Sequence, residues 1–199
     1  VRDRGREGDV REAFSIEDYR TLYRASRKWK KEKTHRKISQ YKRQVLHEMI
    51  LILANTGIRP GTETRNLEWR NVIYTPEYVK VRIYKGKKKK PRTAIARASA
   101  RVYFDRLKEI TGRHKLCFCM PDGSPFRWEH HMFDDLLEFA KLPRHYALYS
   151  LRHFYATQRL IRQRVPYAIL AKQMGTSPKM LAEHYDQSVV EAFSDYFVE

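Results

Sequence analysis

Apolar positions follow a helical period over most of this chain, and one central stretch alternates instead. Ile38, Tyr41, Val45, Leu46, Met49, Ile52 and Leu53 recur at three- and four-residue spacing and stop at Asn55-Thr56-Gly57, which predicts a core helix with a glycine cap. Upstream, Ser15 and Asp18 form a capping box for a helix carrying Ile16, Tyr19, Leu22 and Tyr23, followed by a basic stretch over residues 27–37. Pro60 fits the first turn of a short helix through Leu67 toward Trp69, which leaves Arg59 at a helix boundary. Between Asn71 and Ala96, NVIYT, YVKVRIY and RTAIA favour β-branched and aromatic residues, with PE and KGKKKKP as turn signals. They predict a small three-stranded antiparallel sheet, Lys85 on its second strand and Lys87, Lys88, Lys89 and Lys90 in its second hairpin.

Helix returns over about 99–110, a loop with a short strand covers 112–125, and helix resumes over 128–140. Segments 148–162, 166–174 and 178–185 complete a helical remainder, with Gly175 and Ser177-Pro178 breaking the last two apart. Val189, Val190, Phe193, Tyr196 and Phe197 then give a short amphipathic tail whose apolar face must be buried. The fold class is α+β, mainly α: a helical bundle with one small three-stranded antiparallel sheet. Residues 1–13 are charged and almost without apolar content, so they read as a linker or flexible end before one domain spanning 14–199.

Charge adds a partner to this outline. Lys and Arg total 41 against 23 Asp and Glu, a formal net charge of +18. Such an excess points to a polyanion, with nucleic acid ahead of an anionic membrane surface because no basic amphipathic segment stands beside an apolar anchor. Cys117 and Cys119 are the only cysteines, and at i and i+2 on a strand they are too far apart to bridge, so they read as small buried apolar residues. No apolar run reaches the roughly 20 residues of a membrane span, and nothing resembles a signal peptide. The chain therefore reads as cytoplasmic. The pair His130-His131 belongs to no HExxH or CxxC pattern, and no metal or other cofactor is expected.

Chemistry concentrates in three segments. Tyr185 lies in MLAEHYDQ, Arg152 lies 33 positions upstream in YSLRHFYAT, and Arg59 lies further back in NTGIRPGTE. A tyrosine can attack a phosphodiester and keep its energy in a phosphotyrosyl bond, provided that fixed cations neutralise the charge that builds on the phosphate oxygens. Guanidinium groups suit that task, because they offer planar forks of donors and stay charged at any working pH.

NTGIRPGTETRNLEW, the strand-turn-strand around YKGKKKK, the box YSLRHFYAT and the terminal LAKQMGTSPKMLAEHYDQ resemble, in order and spacing, the catalytic domain of the tyrosine recombinases, the phage-integrase family. The resemblance covers residues 14–190. It implies the tyrosine-recombinase catalytic-domain fold, a C-shaped half-clamp over duplex DNA. Arg59 matches the family's first catalytic arginine and Arg152 the second. Lys85 matches the lysine that protonates the departing 5′ oxygen, with Lys87 as its rival if the hairpin is longer than usual. Tyr185 matches the nucleophile, which leaves a 3′-phosphotyrosyl link and a free 5′ hydroxyl. Lys87 to Lys90 are further candidate phosphate contacts or simply a solvated run.

Departures from the family pattern concern acid-base chemistry. Tyr149 stands where a histidine usually precedes the second arginine by three residues; its hydroxyl can bind phosphate, but with an ordinary pKa of about 10 it is a poorer shuttle than imidazole. Thr176 follows Gly175 where histidine or tryptophan is common, and it could donate to phosphate or cap the next helix. Glu63 follows Arg59 by four residues rather than three, as an arginine-orienting group or a surface carboxylate. His153 could reach the phosphate or sit in the core. The resemblance further implies site-specific recombination on double-stranded DNA, four protomers on two sites, directionality or bending accessory proteins, a mobile element of bacterial or phage origin, and an N-terminal core-binding domain outside this chain. A type IB topoisomerase-like enzyme and a noncatalytic DNA-binding module of the same fold are the alternatives.

Overall fold

The computed structural model describes residues 12–34, 36–84, 91–128 and 130–183. Its scaffold is helix α2, Lys37–Thr56, in which every residue from Val45 to Ala54 is buried. A helix so enclosed needs neighbours on several sides: α1 (Ile16–Trp29), α4 (Arg101–Thr111) and α6 (Ser150–Thr157) pack on it, and α5 (His130–Phe139) packs on α1. Ser15 caps α1 by accepting the Asp18 N–H at 3.0 Å, while the Asp18 carboxylate accepts from the Tyr146 hydroxyl at 2.7 Å instead of closing a capping box.

Gly57 ends α2 in the left-handed region, φ 63°, with its N–H on the Leu53 carbonyl. A Cβ there would lie 2.4 Å from the Tyr155 ring, so the glycine both turns the chain and lets α6 approach. The short helix that follows, α3, covers only Thr62–Arg65; Gly61 at φ 97° comes between it and Pro60, so the proline does not start the helix and Leu67 lies beyond it.

Strands β1 (Val72–Tyr74), β2 (Tyr78–Ile83) and β3 (Arg92–Arg97) form an antiparallel sheet in sequence order, as their alternation predicts. Val79, Val81, Ala94 and Ala96 face the core, and pairing runs out to Ile83↔Arg92. The expected short strand within 112–125 is reduced to two isolated bridges, Glu68↔Leu116 and Cys119↔Pro125. Cys117 and Cys119 are buried and unbridged, but on this irregular segment rather than on a strand.

The predicted segment 148–162 is divided. α6 ends at Thr157 and a π-helical turn, Gln158–Arg162, follows. α7 (Tyr167–Met174) and a helical stretch over 178–183 finish the described chain. Tyr155, Ala156, Leu160, Leu170, Ala171, Met174 and Leu181 form a second, smaller apolar cluster here, separate from the main core. The predicted amphipathic tail lies outside the described residues.

Candidate active site

The site is built where α7 ends. An eight-residue helix leaves its last carbonyls without intrahelical partners, and those carbonyls carry the negative end of the helix dipole. Gly175, at φ 66°, closes α7 with a Schellman turn: its N–H donates to Lys172 and the Thr176 N–H donates to Ala171 at 3.0 Å. Three carbonyls remain, and each accepts from a different arginine. Arg92 donates through Nη1 to Gln173, Arg152 through Nη2 to Met174 at 2.7 Å, and Arg59 through Nη2 to Gly175 at 2.5 Å. These arginines come from β3, from the first turn of α6 and from the link after α2.

Glu63 is the counter-charge. Although it stands one residue late against the family spacing, it is 3% exposed, no surface carboxylate. Its Oε1 accepts from Arg59 Nη1 at 2.8 Å; its Oε2 accepts from the Arg59 backbone N–H at 2.7 Å and from Arg92 Nη2 at 2.6 Å. Burial pushes the Glu63 pKa up, but Arg92, the Arg59 N–H and the Arg59 charge outweigh it and hold the carboxyl below its usual range. Gly61 at the α3 N-cap lets the chain turn back so that Glu63 meets Arg59 after four residues.

Arg152 is the deepest of the three arginines, 3% exposed, and also donates through Nη1 to the Gly57 carbonyl. Its pKa is pushed down to about 10, first by burial and next by the charge of Arg59, so the guanidinium remains cationic near neutral pH. The Tyr149 phenol and the Glu63 carboxylate act on it in the opposite sense. Tyr149 is the residue before α6, half-buried, and its ring meets His153 at 5.2 Å between centroids, tilted by 59°. His153 is half-buried on the same turn, neither a core residue nor fully exposed.

Thr176 is half-buried, and the cap of the following helical stretch belongs to Ser177, whose Oγ accepts the Met180 N–H at 3.2 Å. The sequence candidates Arg59, Glu63 and Arg152 are thus brought together, with Tyr149 and His153 on the turn that carries Arg152. Lys85, Lys87, Lys88, Lys89, Lys90 and Tyr185 lie outside the described residues. Among the described residues no group of three His, Cys, Asp or Glu side chains could hold a metal.

Arg92 was not foreseen from the sequence. The signal for it is strand phase: it shares the inward face of β3 with Ala94 and Ala96, where a charge needs a buried partner. α7 is tied to the same strand by Gln173, whose Oε1 accepts the Ile95 N–H at 3.0 Å and whose Nε2 donates to the Ile95 carbonyl at 2.7 Å and to Tyr155 at 2.9 Å.

Residues 14–191 match the model of the phage integrase family. The chain belongs to that family. Among solved structures, this integrase-family chain resembles the XerH site-specific recombinase, determined bound to palindromic difH substrate as a post-cleavage complex, with a TM-score of 0.74 and 18% identity over 94% of this chain and 54% of that one. XerA recombinase gives a TM-score of 0.70 at 18% identity, covering 92% of this chain and 64% of that one. The Tn1549 transposon integrase, in complex with transposon right end DNA, gives 0.72 at 17% identity over 97% and 68%. Identities this low establish the tyrosine-recombinase catalytic-domain fold, and the chain spans about half to two thirds of these proteins. No curated protein matches the chain significantly.

Proposed function

We propose that this chain carries the catalytic centre of a site-specific DNA recombinase, residues 14–199 acting as its catalytic domain on double-stranded DNA. The observation that supports this most is the convergence of Arg59, Arg92 and Arg152 on residues 173–175, ten positions before Tyr185 at the nearest. Three guanidinium charges less one Glu63 carboxylate leave two positive charges, which suits a phosphoryl-transfer transition state carrying two negative ones. Arg59 and Arg152 keep N–H groups beyond those spent on carbonyls and Glu63, and these are the donors offered to the nonbridging oxygens.

The Tyr185 hydroxyl releases its proton to solvent as its oxygen attacks the scissile phosphate, a 3′-phosphotyrosyl bond forms and the bond to the 5′ oxygen breaks. Lys85, or Lys87 in its place, gives that oxygen its proton. Tyr149 and Thr176 are hydrogen-bond donors to phosphate, and His153 supports them from the Arg152 turn. Religation reverses the chemistry with the 5′ hydroxyl of the partner strand, so no high-energy cofactor is consumed. Lys87, Lys88, Lys89 and Lys90 are taken as backbone contacts. Four protomers on two sites, with accessory bending or directionality proteins, complete the cytoplasmic assembly that moves a phage or other mobile element. Among the described residues no helix is long and apolar enough to cross a membrane.

The test is a nicked suicide duplex carrying the junction at which the element excises, found by sequencing its ends. Wild-type protein forms a covalent adduct in the presence of a chelator, because arginine and lysine supply the positive charge; Tyr185→Phe forms none. An adduct that survives Tyr185→Phe removes the assignment, and no wild-type adduct favours a noncatalytic module.

A further inference from the structure

Arg92 occupies a place that neither the arginine boxes nor the lysine hairpin explains. Its side chain is 10% exposed, and a buried guanidinium is tolerable only if paired. Its partners are Glu63 and the Gln173 carbonyl, and its Cδ and Nε press against Gly175, where a Cβ would lie only 2.5 and 2.6 Å from them. Its Nε has no hydrogen-bond partner among the described residues. Such enclosure leaves it poorly placed to touch DNA itself.

What it can do is set the charge on its neighbours. Without Arg92, Glu63 would face Arg59 alone, and that ion pair would be neutral overall. With Arg92 on Oε2, the carboxylate is shared, and Arg59 keeps net positive charge for a third party. Arg92 is itself fixed by the sheet, since it is the first residue of β3 and pairs with Ile83 of β2.

We infer that Arg92 is a positioning residue of the phosphate site, holding Glu63 so that Arg59 is free for phosphate. The inference rests on the recombinase reading above. Its experiment compares Arg92→Gln and Arg92→Lys with wild type in single-turnover cleavage at saturating suicide duplex, on an ordinary scissile phosphate and on a neutral methylphosphonate. Arg92→Gln should slow cleavage by roughly 100-fold and Arg92→Lys by about 10-fold, with DNA affinity changed less than about threefold. On the methylphosphonate, where less charge needs neutralising, the Arg92→Gln deficit should shrink by about 10-fold. A deficit equal on both substrates means a merely structural role and overturns the inference, as does wild-type cleavage by Arg92→Gln.

A second arm needs no DNA. In 15N-arginine NMR spectra, Arg92→Gln should shift or broaden the Arg59 guanidinium signals, and unchanged Arg59 signals overturn the inference whether or not the protein cleaves. A missing wild-type adduct defeats the recombinase reading and takes the inference with it.

Discussion

Arg59, Arg92 and Arg152 divide the last carbonyls of α7 between them, and Gly175 is the residue that lets them come so close. At φ 66° a side chain costs on the order of 1 kcal/mol, and the Cβ would collide with the middle of a buried arginine rather than with a movable tip. Gly175→Ala should therefore lower Tm by about 2–8 °C and cut adduct formation at least tenfold, as checked by calorimetry and the suicide duplex. A variant with unchanged Tm and full cleavage would contradict the packing described. Arg59 and Arg152 were legible in the sequence because each lies in a short box with its own turn chemistry, Gly57 before one and the α6 start before the other. Arg92 was not, because its partners are 29 and 81 positions away and the neighbouring lysine run hid a charge on an inward strand face.

Helix α2 is the element that holds the site, and its apolar period foretold both ends. The period did not foretell that His47 and Glu48 would be buried, at 3% and 0% exposed, because the helices enclosing them come from elsewhere. Glu48 is held by Lys30 at 2.9 Å and by Arg106 at 2.8 Å, and His47 Nδ1 lies 2.8 Å from Ser26 Oγ. Burial first, and the Lys30 charge next, push the His47 pKa down to about 4, with Arg106 and Arg27 acting the same way and Glu48 opposing. A depressed histidine pKa means that the unfolded state binds the proton first as pH falls. Stability should be level above about pH 7 and fall between about 6.5 and 4, by on the order of 3 kcal/mol. Urea unfolding across that range should show the loss in wild type and less of it in His47→Gln; equal pH slopes would contradict it. The cysteine segment failed as a strand for a similar reason: Leu67 and Trp69, far back in the chain, share only two isolated hydrogen bonds with it, the Cys117 N–H donating to the Leu67 carbonyl and the Trp69 N–H to the Lys115 carbonyl.

At the scale of the whole molecule, a net charge of +18 implies that the proposed binding to DNA is largely electrostatic. Affinity for duplex should fall by roughly 1,000-fold or more between about 50 and 200 mM salt if some six phosphates are engaged, measured by fluorescence anisotropy. A shallow dependence would mean that the basic excess is spent elsewhere. The fold class was legible because local pattern, turn chemistry and the order of four motifs agreed. The division of the core into two clusters, with the arginines where α7 meets β3 and α6, depends on contacts that no local pattern contains.

One of the 13 tyrosines, Tyr185, should become joined to DNA during cleavage. Trypsin digestion of the suicide-substrate adduct, followed by mass spectrometry of the nucleotide-bearing peptide, tests it most directly. The nucleotide should sit on Tyr185 in the tryptic peptide beginning at Met180. A nucleotide on Tyr149, Tyr155 or Tyr196 instead would contradict it.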